Sequence, residues 1–199
     1  DIIPSDNPDE QIWIQRVAHG VVVGLTAWNY PAALTTRKMG PALIAGNTIV
    51  IKPHEGTPLS ALEIAQLSVQ ADFPPGVFNV VTGTGEGLGA ALVSHPVPRL
   101  ITLTGSVRAG KEIFRNGAED LKILRLELGG KGANIVFADA DADAVKRGTR
   151  HCFYNSGQSC NAPTRMLVER GYYDEAVEIA RETAENTRVG TAHEEVKHI

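Results

Sequence analysis

The stretch GVVVGLTAWNYPAALTTRKMGPALIAGNTIVIKP, residues 20–53, decides the fold. Its apolar, β-branched runs at 20–28 and 47–53 are typical of strands that are buried on both faces. Between them, Pro31 suits the first position of a helix and Gly46 suits the position just after its end. A strand, a helix and a second strand in this order form a crossover unit, which predicts two parallel strands in one sheet.

Two further apolar runs continue this alternation, at residues 77–83 and 99–105. Helical segments at 58–71 and 86–94 lie between the runs, and Thr57 is predicted to cap the first of them. Since such crossovers are right-handed, the sequence predicts an α/β fold with a doubly wound parallel sheet. The ligand crevice of such a sheet lies at the carboxyl ends of its strands.

Composition excludes several classes of protein. Of 199 residues 43% are hydrophobic, and 19 basic against 23 acidic side chains give a net charge of −4. These values predict a globular core, no nucleic-acid partner and no membrane partner, since no apolar run approaches the roughly 20 residues of a membrane helix. Only two cysteines and an acidic start without an export signal predict a cytoplasmic protein.

Polar residues follow the predicted strands, at the edge where such a sheet binds ligands. The amide of Asn29, after the first strand, can donate a hydrogen bond into the crevice. Lys52 and Glu55 follow the second strand, where a carboxylate in a dinucleotide fold commonly binds ribose hydroxyls. Ser106 lies at a predicted helix N-terminus, whose free N–H groups favour a pyrophosphate. Glu127 ends an apolar strand just before two glycines.

Each of these residues also fits an ordinary structural role. Asn29 could form an Asx-turn or a cap, and Lys52 and Glu55 could be solvated loop charges. Glu127 could be a surface charge, and Cys160, in the stretch GQSC, could be a buried and inert thiol. The functional interpretation is favoured because these signals all fall where strands end, which is where an open α/β sheet binds ligands.

Four stretches together are similar to the aldehyde dehydrogenase superfamily. They are AWNYPAALTTRKMGPALIAGNTIVIKPHEGTPLSA (27–61), LTGS (103–106), LELGGK (126–131) and GQSC (157–160), in the family's order and close to its spacing. The resemblance covers essentially the whole chain. It implies an oxidoreductase that oxidises an aldehyde to a carboxylic acid with NAD(P)⁺, through a cysteine thiohemiacetal and a thioester.

The resemblance also implies a role for each matching residue. Cys160 would be the nucleophile, Glu127 the general base, and Asn29 the donor to the oxyanion. Lys38 would belong to a proton path, and no metal is implied. Cofactor contacts would come from the strand ends and the turns after them: Thr26, Trp28, Lys52, Glu55, Gly85, Gly105, Ser106, Gly110 and Leu128.

Tyr30 and Arg37 are predicted to contact the substrate. Arg37 and Leu34 are expected on roughly the same side of their helix, and some family members that act on semialdehydes or small hydroxyaldehydes have a similar RK pair. An arginine in a partly desolvated tunnel would bind a carboxylate or a hydroxyl, so small polar aldehydes are expected over hexanal. The alternative for Arg37 is a solvated helix arginine.

NAD is the expected cofactor, and NADP also fits. The Glu55 carboxylate would repel a 2′-phosphate, but His54 departs from the family pattern and weakens this preference. Ala27 is a second departure, and the spacing from Glu127 to Cys160 is one residue shorter than expected.

The sequence pattern and the resemblance divide the chain into three parts. Residues 1–19 are predicted to form an oligomerisation-type hairpin, residues 20–129 a Rossmann-like dinucleotide-binding domain, and residues 130–199 the beginning of a second, catalytic α/β domain. A homodimer or homotetramer is expected for the whole enzyme. The 199-residue chain alone is expected to be inactive, because by resemblance it lacks the part that positions the nicotinamide ribose.

Two other functions remain open. The chain could be a non-catalytic cofactor-binding or oligomerisation fragment of such an enzyme. It could also belong to a cysteine hydrolase, which needs a histidine base, and of six histidines only His54 lies near a strand end.

Overall fold

A computed structural model describes residues 1–194 of the chain. The last five residues of the predicted domain 130–199 lie outside the described part. Internal contacts divide the chain into two compact units, Asp1–Leu128 and Gly129–Ile199, and each unit is described by itself. The assignment of the second unit to a catalytic domain stays a prediction.

The first unit is built on a five-stranded parallel sheet, which confirms the predicted fold class. The strand order is β5-β4-β3-β6-β7. The strands are β3 (Val21–Leu25), β4 (Thr48–Lys52), β5 (Phe78–Val80), β6 (Leu100–Gly105) and β7 (Ile123–Leu128). Both faces of the central strands are buried, which explains their nearly continuous apolar sequences.

Helices cover both faces of this sheet. They are α1 (Pro31–Ile44), α2 (Leu59–Gln70), α3 (Ala90–Ser94) and α4 (Val107–Ala118), and a π-helical turn (Gly85–Gly89) precedes α3. Val22, Ile49 and Ile51 pack with Ala42 of α1 on one face. On the other face, the second core contains residues of β3, β6 and α4: Val23, Leu25, Ile101, Leu103 and Ile113.

Gly24 lets the side chain of Lys38 cross the central strand β3. A Cβ atom at Gly24 would lie 2.4 Å from Cδ1 of Ile51 and 3.2 Å from Cδ of Lys38. Ile51 is fully buried, so its methyl group would have to shift within the core. Glycine is therefore required here by the packing of α1 against the sheet.

The predicted capping of α2 by Thr57 is wrong. The helix begins at Leu59 with Pro58 at its cap, and no side chain caps it. Pro58 already has helical dihedral angles, and its carbonyl accepts from the N–H groups of Ala61 and Leu62. The Thr57 hydroxyl is buried without a hydrogen-bond partner among the described residues.

The first residues form a short antiparallel hairpin from β1 (Ile2–Ile3) and β2 (Ile12–Trp13). Asp1 and Ile14 close it with two main-chain hydrogen bonds of 2.9 Å. Trp13 is 68% exposed, and the other apolar side chains of the hairpin are also exposed, to differing extents. Its predicted role in oligomerisation is untested by this arrangement.

The second unit pairs β8 (Ala133–Val136) with β9 (Arg165–Val168) in parallel. Helices α5 (Ala144–Phe153) and α6 (Tyr173–Glu185) pack together, around a core that contains Val136, Val145 and Ala176. Helix α5 begins about three residues later than expected from Asp141. There, the Asp141 carboxylate accepts a hydrogen bond from the N–H of Asp143 and forms a local turn. Within residues 1–194, no helix could span a membrane.

Replacing Gly24 with alanine tests whether the absence of a side chain there lets Lys38 cross strand β3. We expect Gly24→Ala to lower the free energy of unfolding of the first unit by about 1–3 kcal/mol, the usual cost of overpacking. Gly85→Ala is the control, because a Cβ there meets no atom within 4 Å, and its effect should stay within about 0.5 kcal/mol. Urea unfolding of the 199-residue chain measures both. Equal stability of the two variants would contradict the packing role of Gly24.

Candidate active site

Parallel pairing places the carboxyl ends of β3, β4, β6 and β7 at one edge of the first unit's sheet. Asn29 follows β3, Glu55 follows β4 and Ser106 follows β6. Glu127 is the penultimate residue of β7. The structure therefore brings four predicted site residues to the same edge.

Lys38 is a buried lysine on the face of α1 that packs on the sheet, and 8% of its surface is exposed. Its Nζ donates hydrogen bonds to the hydroxyl oxygens of Thr102 and Thr104, each at 3.0 Å. Burial lowers the pKa of Lys38 from 10.5 to about 8, and the negative charge of Glu127 opposes this shift in part.

Glu127 is coupled to Lys38 across β6. In the register of the sheet Glu127 pairs with Thr104, and paired side chains of neighbouring strands point to the same face. Thr104 is one of the two hydroxyls that hold Lys38. The structure thus brings together the predicted general base, which is exposed, and the predicted proton-path lysine, which is buried.

Sequence reasoning missed Thr102 and Thr104. Ile101 and Leu103 of the same strand pack in the core on the α4 side, so the two threonines face α1. Two hydroxyls on one face of an otherwise apolar, buried strand require a buried polar partner. The alternation in LITLTG was the signal that could have revealed them.

Lys52 is a second buried lysine, and it ties the end of β4 to the loop after β5. Its Nζ donates to the carbonyl oxygens of Gly83 at 2.7 Å and Pro53 at 2.8 Å. The Glu55 carboxylate lies 3.5 Å away and is half exposed. A hydrogen bond from the main-chain N–H of Glu55 lowers the pKa of this carboxyl group, and the nearby charges of Lys52 and His54 lower it further.

Two turns at this edge present main-chain N–H groups. Ser106 caps α4, since its hydroxyl accepts from the N–H of Ala109 at 3.1 Å, and it directly follows Gly105, the last residue of β6. Thr84 caps the π-helical turn in the same way, accepting from Gly87 at 3.1 Å. Gly85, which opens that turn, is exposed.

Gly110 and Leu128, both predicted to contact the cofactor, pack against each other. Gly110 is buried in the first turns of α4, and a Cβ there would lie 2.9 Å from Cδ2 of Leu128. The glycine thus allows α4 to approach the end of β7 closely. Contact of either residue with a cofactor stays a prediction.

The residues that follow β3 differ in their exposure to solvent. The Thr26 side chain is buried, and its hydroxyl has no hydrogen-bond partner among residues 1–194. Trp28 is 46% exposed, whereas Asn29 and Tyr30 are partly buried. Tyr30 precedes α1, and its carbonyl accepts from the N–H of Leu34 at 2.9 Å.

Arg37 lies on the exposed side of α1, whereas Leu34 is buried. The prediction that Arg37 and Leu34 lie on roughly the same side of the helix is therefore wrong within this chain. The buried stripe of α1 contains Leu34, Thr35, Lys38 and Ala42, and Arg37 lies outside it, about 100° around the helix from Lys38. The role of Arg37 in substrate binding stays a prediction.

Cys160, in the second unit, is an exposed free thiol, and Cys152 of α5 is partly buried. Within this chain Cys160 is therefore not buried, and its role as the nucleophile stays a prediction. Three consecutive residues that precede Cys160 have left-handed backbone conformations, with φ of 52° at Asn155, 57° at Ser156 and 73° at Gly157. No cluster of three or more His, Cys, Asp or Glu in the described residues could hold a metal ion.

Replacing Glu127 with glutamine tests its coupling to Lys38. Loss of the carboxylate charge removes the effect that raises the pKa of Lys38, so this pKa should fall below about 8. Carbon-13 NMR titration of the lysine side chains in the 199-residue chain measures it. Glu55→Gln, next to Lys52 rather than Lys38, is the control and should leave it unchanged. An unchanged Lys38 titration in Glu127→Gln would contradict the coupling.

Comparison with known proteins places this geometry in a family. The chain is 47% identical over 191 residues to 3,6-anhydro-alpha-L-galactose dehydrogenase of Vibrio sp. (strain EJY3), and the match covers 96% of the chain and 40% of that relative. It is 45% identical over 191 residues to the mitochondrial succinate-semialdehyde dehydrogenase of Arabidopsis thaliana, which covers 96% of the chain and 36% of that relative. The chain thus spans about two fifths of the length of these relatives.

The fold agrees with these sequence matches. The crystal structure of PnpE in complex with nicotinamide adenine dinucleotide superposes with a TM-score of 0.91 at 44% identity, over 96% of this chain and 39% of that one. The sequence profile described as "Aldehyde dehydrogenase family" matches residues 1–199. The chain belongs to the aldehyde dehydrogenase family.

Proposed function

We propose that this chain carries the cofactor-binding and nucleophile-bearing part of an NAD(P)-dependent aldehyde dehydrogenase, which converts an aldehyde to a carboxylic acid. Family membership supports aldehyde oxidation in general. The observation that carries the specific proposal is the exposed free thiol of Cys160, in a chain whose other unit holds Glu127 at the end of β7 in electrostatic contact with the buried Lys38.

The residues at this edge fit a dinucleotide. Thr26 offers a buried hydroxyl that has no partner in the described part of the chain, and Ser106 begins a twelve-residue helix whose N-terminus favours a pyrophosphate. The half-exposed carboxylate of Glu55 suits ribose hydroxyls and favours NAD, while NADP also fits. These residues would hold a nicotinamide cofactor, which would supply the hydride acceptor for the oxidation of the thiohemiacetal on Cys160 to a thioester.

Cys160 starts the reaction. Its thiolate attacks the carbonyl carbon of the aldehyde, a carbon–sulfur bond forms, and the electron pair of the carbonyl double bond moves to oxygen. The Asn29 amide, which follows β3, is proposed to donate a hydrogen bond to this oxyanion. A donor fixed in advance stabilises charge as it develops, typically by about 3 kcal/mol.

Glu127 completes the reaction. Its carboxylate takes a proton from water while the water oxygen attacks the thioester carbon. The carbon–sulfur bond then breaks, Cys160 leaves as a thiolate, and the carboxylic acid is released. Gly129 and Gly130, just after β7, are proposed to make the backbone flexible enough for this carboxylate to move.

The proposed substrates are small polar aldehydes. One of the two relatives described above is named as a dehydrogenase of an anhydrosugar, and the other as a dehydrogenase of succinate semialdehyde. Arg37 is exposed within this chain, so its guanidinium is available to a carboxylate or hydroxyl of the substrate. A cytoplasmic homodimer or homotetramer is proposed for the whole enzyme, and the alternative function is a non-catalytic cofactor-binding or oligomerisation fragment.

Replacing each cysteine separates the proposal from that alternative. In a chain of the relatives' length that contains this sequence, Cys160→Ala should abolish NADH formation. Cys152→Ala, in the preceding helix, should cost some stability and leave turnover near the parent rate. NADH absorbance with an aldehyde as substrate measures both, and the 199-residue chain by itself should show no turnover. Near-parent rates in Cys160→Ala would overturn the assignment.

Replacing Arg37 tests the substrate class. Arg37→Leu should raise KM for succinate semialdehyde about tenfold or more, the scale of one charge-assisted hydrogen bond, and narrow the preference over hexanal. Arg115→Leu removes another exposed arginine, from the last turn of α4, and should change neither the KM nor the preference. If kcat/KM for the two aldehydes is equal in the parent and unchanged in Arg37→Leu, Arg37 is a solvated surface residue.

A further inference from the structure

His54 closes the turn that follows β4, residues 54–57, with two hydrogen bonds. Its carbonyl oxygen accepts from the N–H of Thr57 at 3.0 Å, and its Nδ1 accepts from the N–H of Gly56, also at 3.0 Å. The ring lies against the glycine, because a Cβ atom at Gly56 would be 3.3 Å from Nδ1. Glu55 lies between the residues that these bonds join, so the histidine holds the part of the turn that carries the carboxylate.

The hydrogen bond at Nδ1 determines which ring nitrogen carries the proton. A ring nitrogen that accepts a hydrogen bond has no proton of its own, so the neutral imidazole of His54 carries its proton on Nε2. Among residues 1–194 nothing accepts a hydrogen bond from Nε2, and the side chain is only partly buried. His54 therefore has one N–H donor left for a ligand that lies beside Glu55.

The other donors of this turn are already used within it. The N–H groups of Gly56 and Thr57 donate to His54, and that of Glu55 donates to its own carboxylate. The hydroxyl of Thr57 is buried. Of the donors on residues 55–57 and the His54 ring, Nε2 is thus the one that remains for an anion.

The charge of the Glu55 carboxylate is partly compensated. Its Oε2 lies 3.5 Å from Nζ of Lys52, whose own side chain is buried. A carboxylate in this place binds ribose hydroxyls and disfavours a phosphate group on the ribose. The lysine offsets part of that repulsion, and the neutral His54 ring adds a donor without adding negative charge.

We propose that His54 is a specificity-determining residue that donates a hydrogen bond from Nε2 to the 2′-phosphate of NADP, so that this site binds NADP as well as NAD. The proposal rests on the proposed function. NAD has a hydroxyl at the same ribose carbon, which donates to the Glu55 carboxylate and does not need His54. A phosphate oxygen accepts from Nε2 in a charge-assisted hydrogen bond, which is stronger than a neutral one.

Two substitutions separate the acceptor of His54 from its donor. In His54→Asn, the side-chain oxygen can still accept from the N–H of Gly56, as in an Asx-turn, but no donor remains at the position of Nε2. In His54→Gln, the longer side chain carries its amide nitrogen about as far out as Nε2, so a donor is kept and the acceptor at the position of Nδ1 is lost.

His95→Asn is a matched control. The Nδ1 of His95 also accepts from the N–H two residues further on, that of Val97, at 3.2 Å. This histidine lies between α3 and β6, at the amino end of the strand, whereas His54 follows the carboxyl end of β4. The control therefore removes the same local hydrogen-bond geometry away from the candidate site.

Isothermal titration calorimetry with NAD⁺ and NADP⁺, without aldehyde, measures both dissociation constants in a chain of the relatives' length. His54→Asn should weaken NADP⁺ binding about tenfold, the scale of one hydrogen bond to a charged group, and leave NAD⁺ binding within about twofold of the parent. His54→Gln should keep the parent ratio of the two constants. His95→Asn should change neither constant.

Three results would overturn the role of His54: a parent that does not bind NADP⁺, unchanged NADP⁺ binding in His54→Asn, or equal weakening of both cofactors in that variant. The last result would mean that His54 only stabilises the turn. A parent that binds both cofactors but reduces neither with any aldehyde would overturn the proposed function, while a selective loss of NADP⁺ binding in His54→Asn would still support His54. If His54→Asn does not fold, as judged by circular dichroism, His54→Ser takes its place with the same expected results, because a serine hydroxyl can also accept from the N–H of Gly56.

Discussion

Parallel pairing of β3, β4, β6 and β7 is the constraint on which the candidate site of the first unit depends. Because all four strands run the same way, their carboxyl ends meet at one edge, and residues far apart in the sequence become neighbours there. The central strands of the sheet are buried on both faces, and each face has its own core. Polar groups such as Glu55, Ser106 and Glu127 are therefore concentrated where the strands stop and water or a ligand can reach them.

Lys38 is the point at which packing and chemistry depend on each other. Burying its ammonium group is unfavourable, as its lowered pKa records, and the structure compensates with two hydroxyl partners and a nearby carboxylate. The crossing at Gly24 makes this burial possible. A change in this glycine would act on the core through Ile51 and on the site through Lys38.

The fold could be predicted from the sequence because burial of the central strands on both faces gives β3, β4 and β6 nearly continuous apolar runs between helical segments. The exact starts of helices, which depend on single local hydrogen bonds, could not be predicted from the sequence. Thr57 does not cap α2, since the helical dihedral angles of Pro58 start the turn, and the turn at Asp141 delays α5. Of the site, Lys38 and Glu127 were predicted by resemblance, but Thr102 was not, because its role depends on which face of β6 meets α1.

The central claim is that Glu127 is the base that hydrolyses a thioester on Cys160. The most direct measurement mixes the Glu127→Gln enzyme, in a chain of the relatives' length, with aldehyde and NAD⁺, and follows NADH and intact protein mass together. The account predicts one burst of NADH, about equal to the enzyme concentration, then a stall with an acyl group on Cys160. Continued turnover at the parent rate, or an acyl group on another residue, would contradict it.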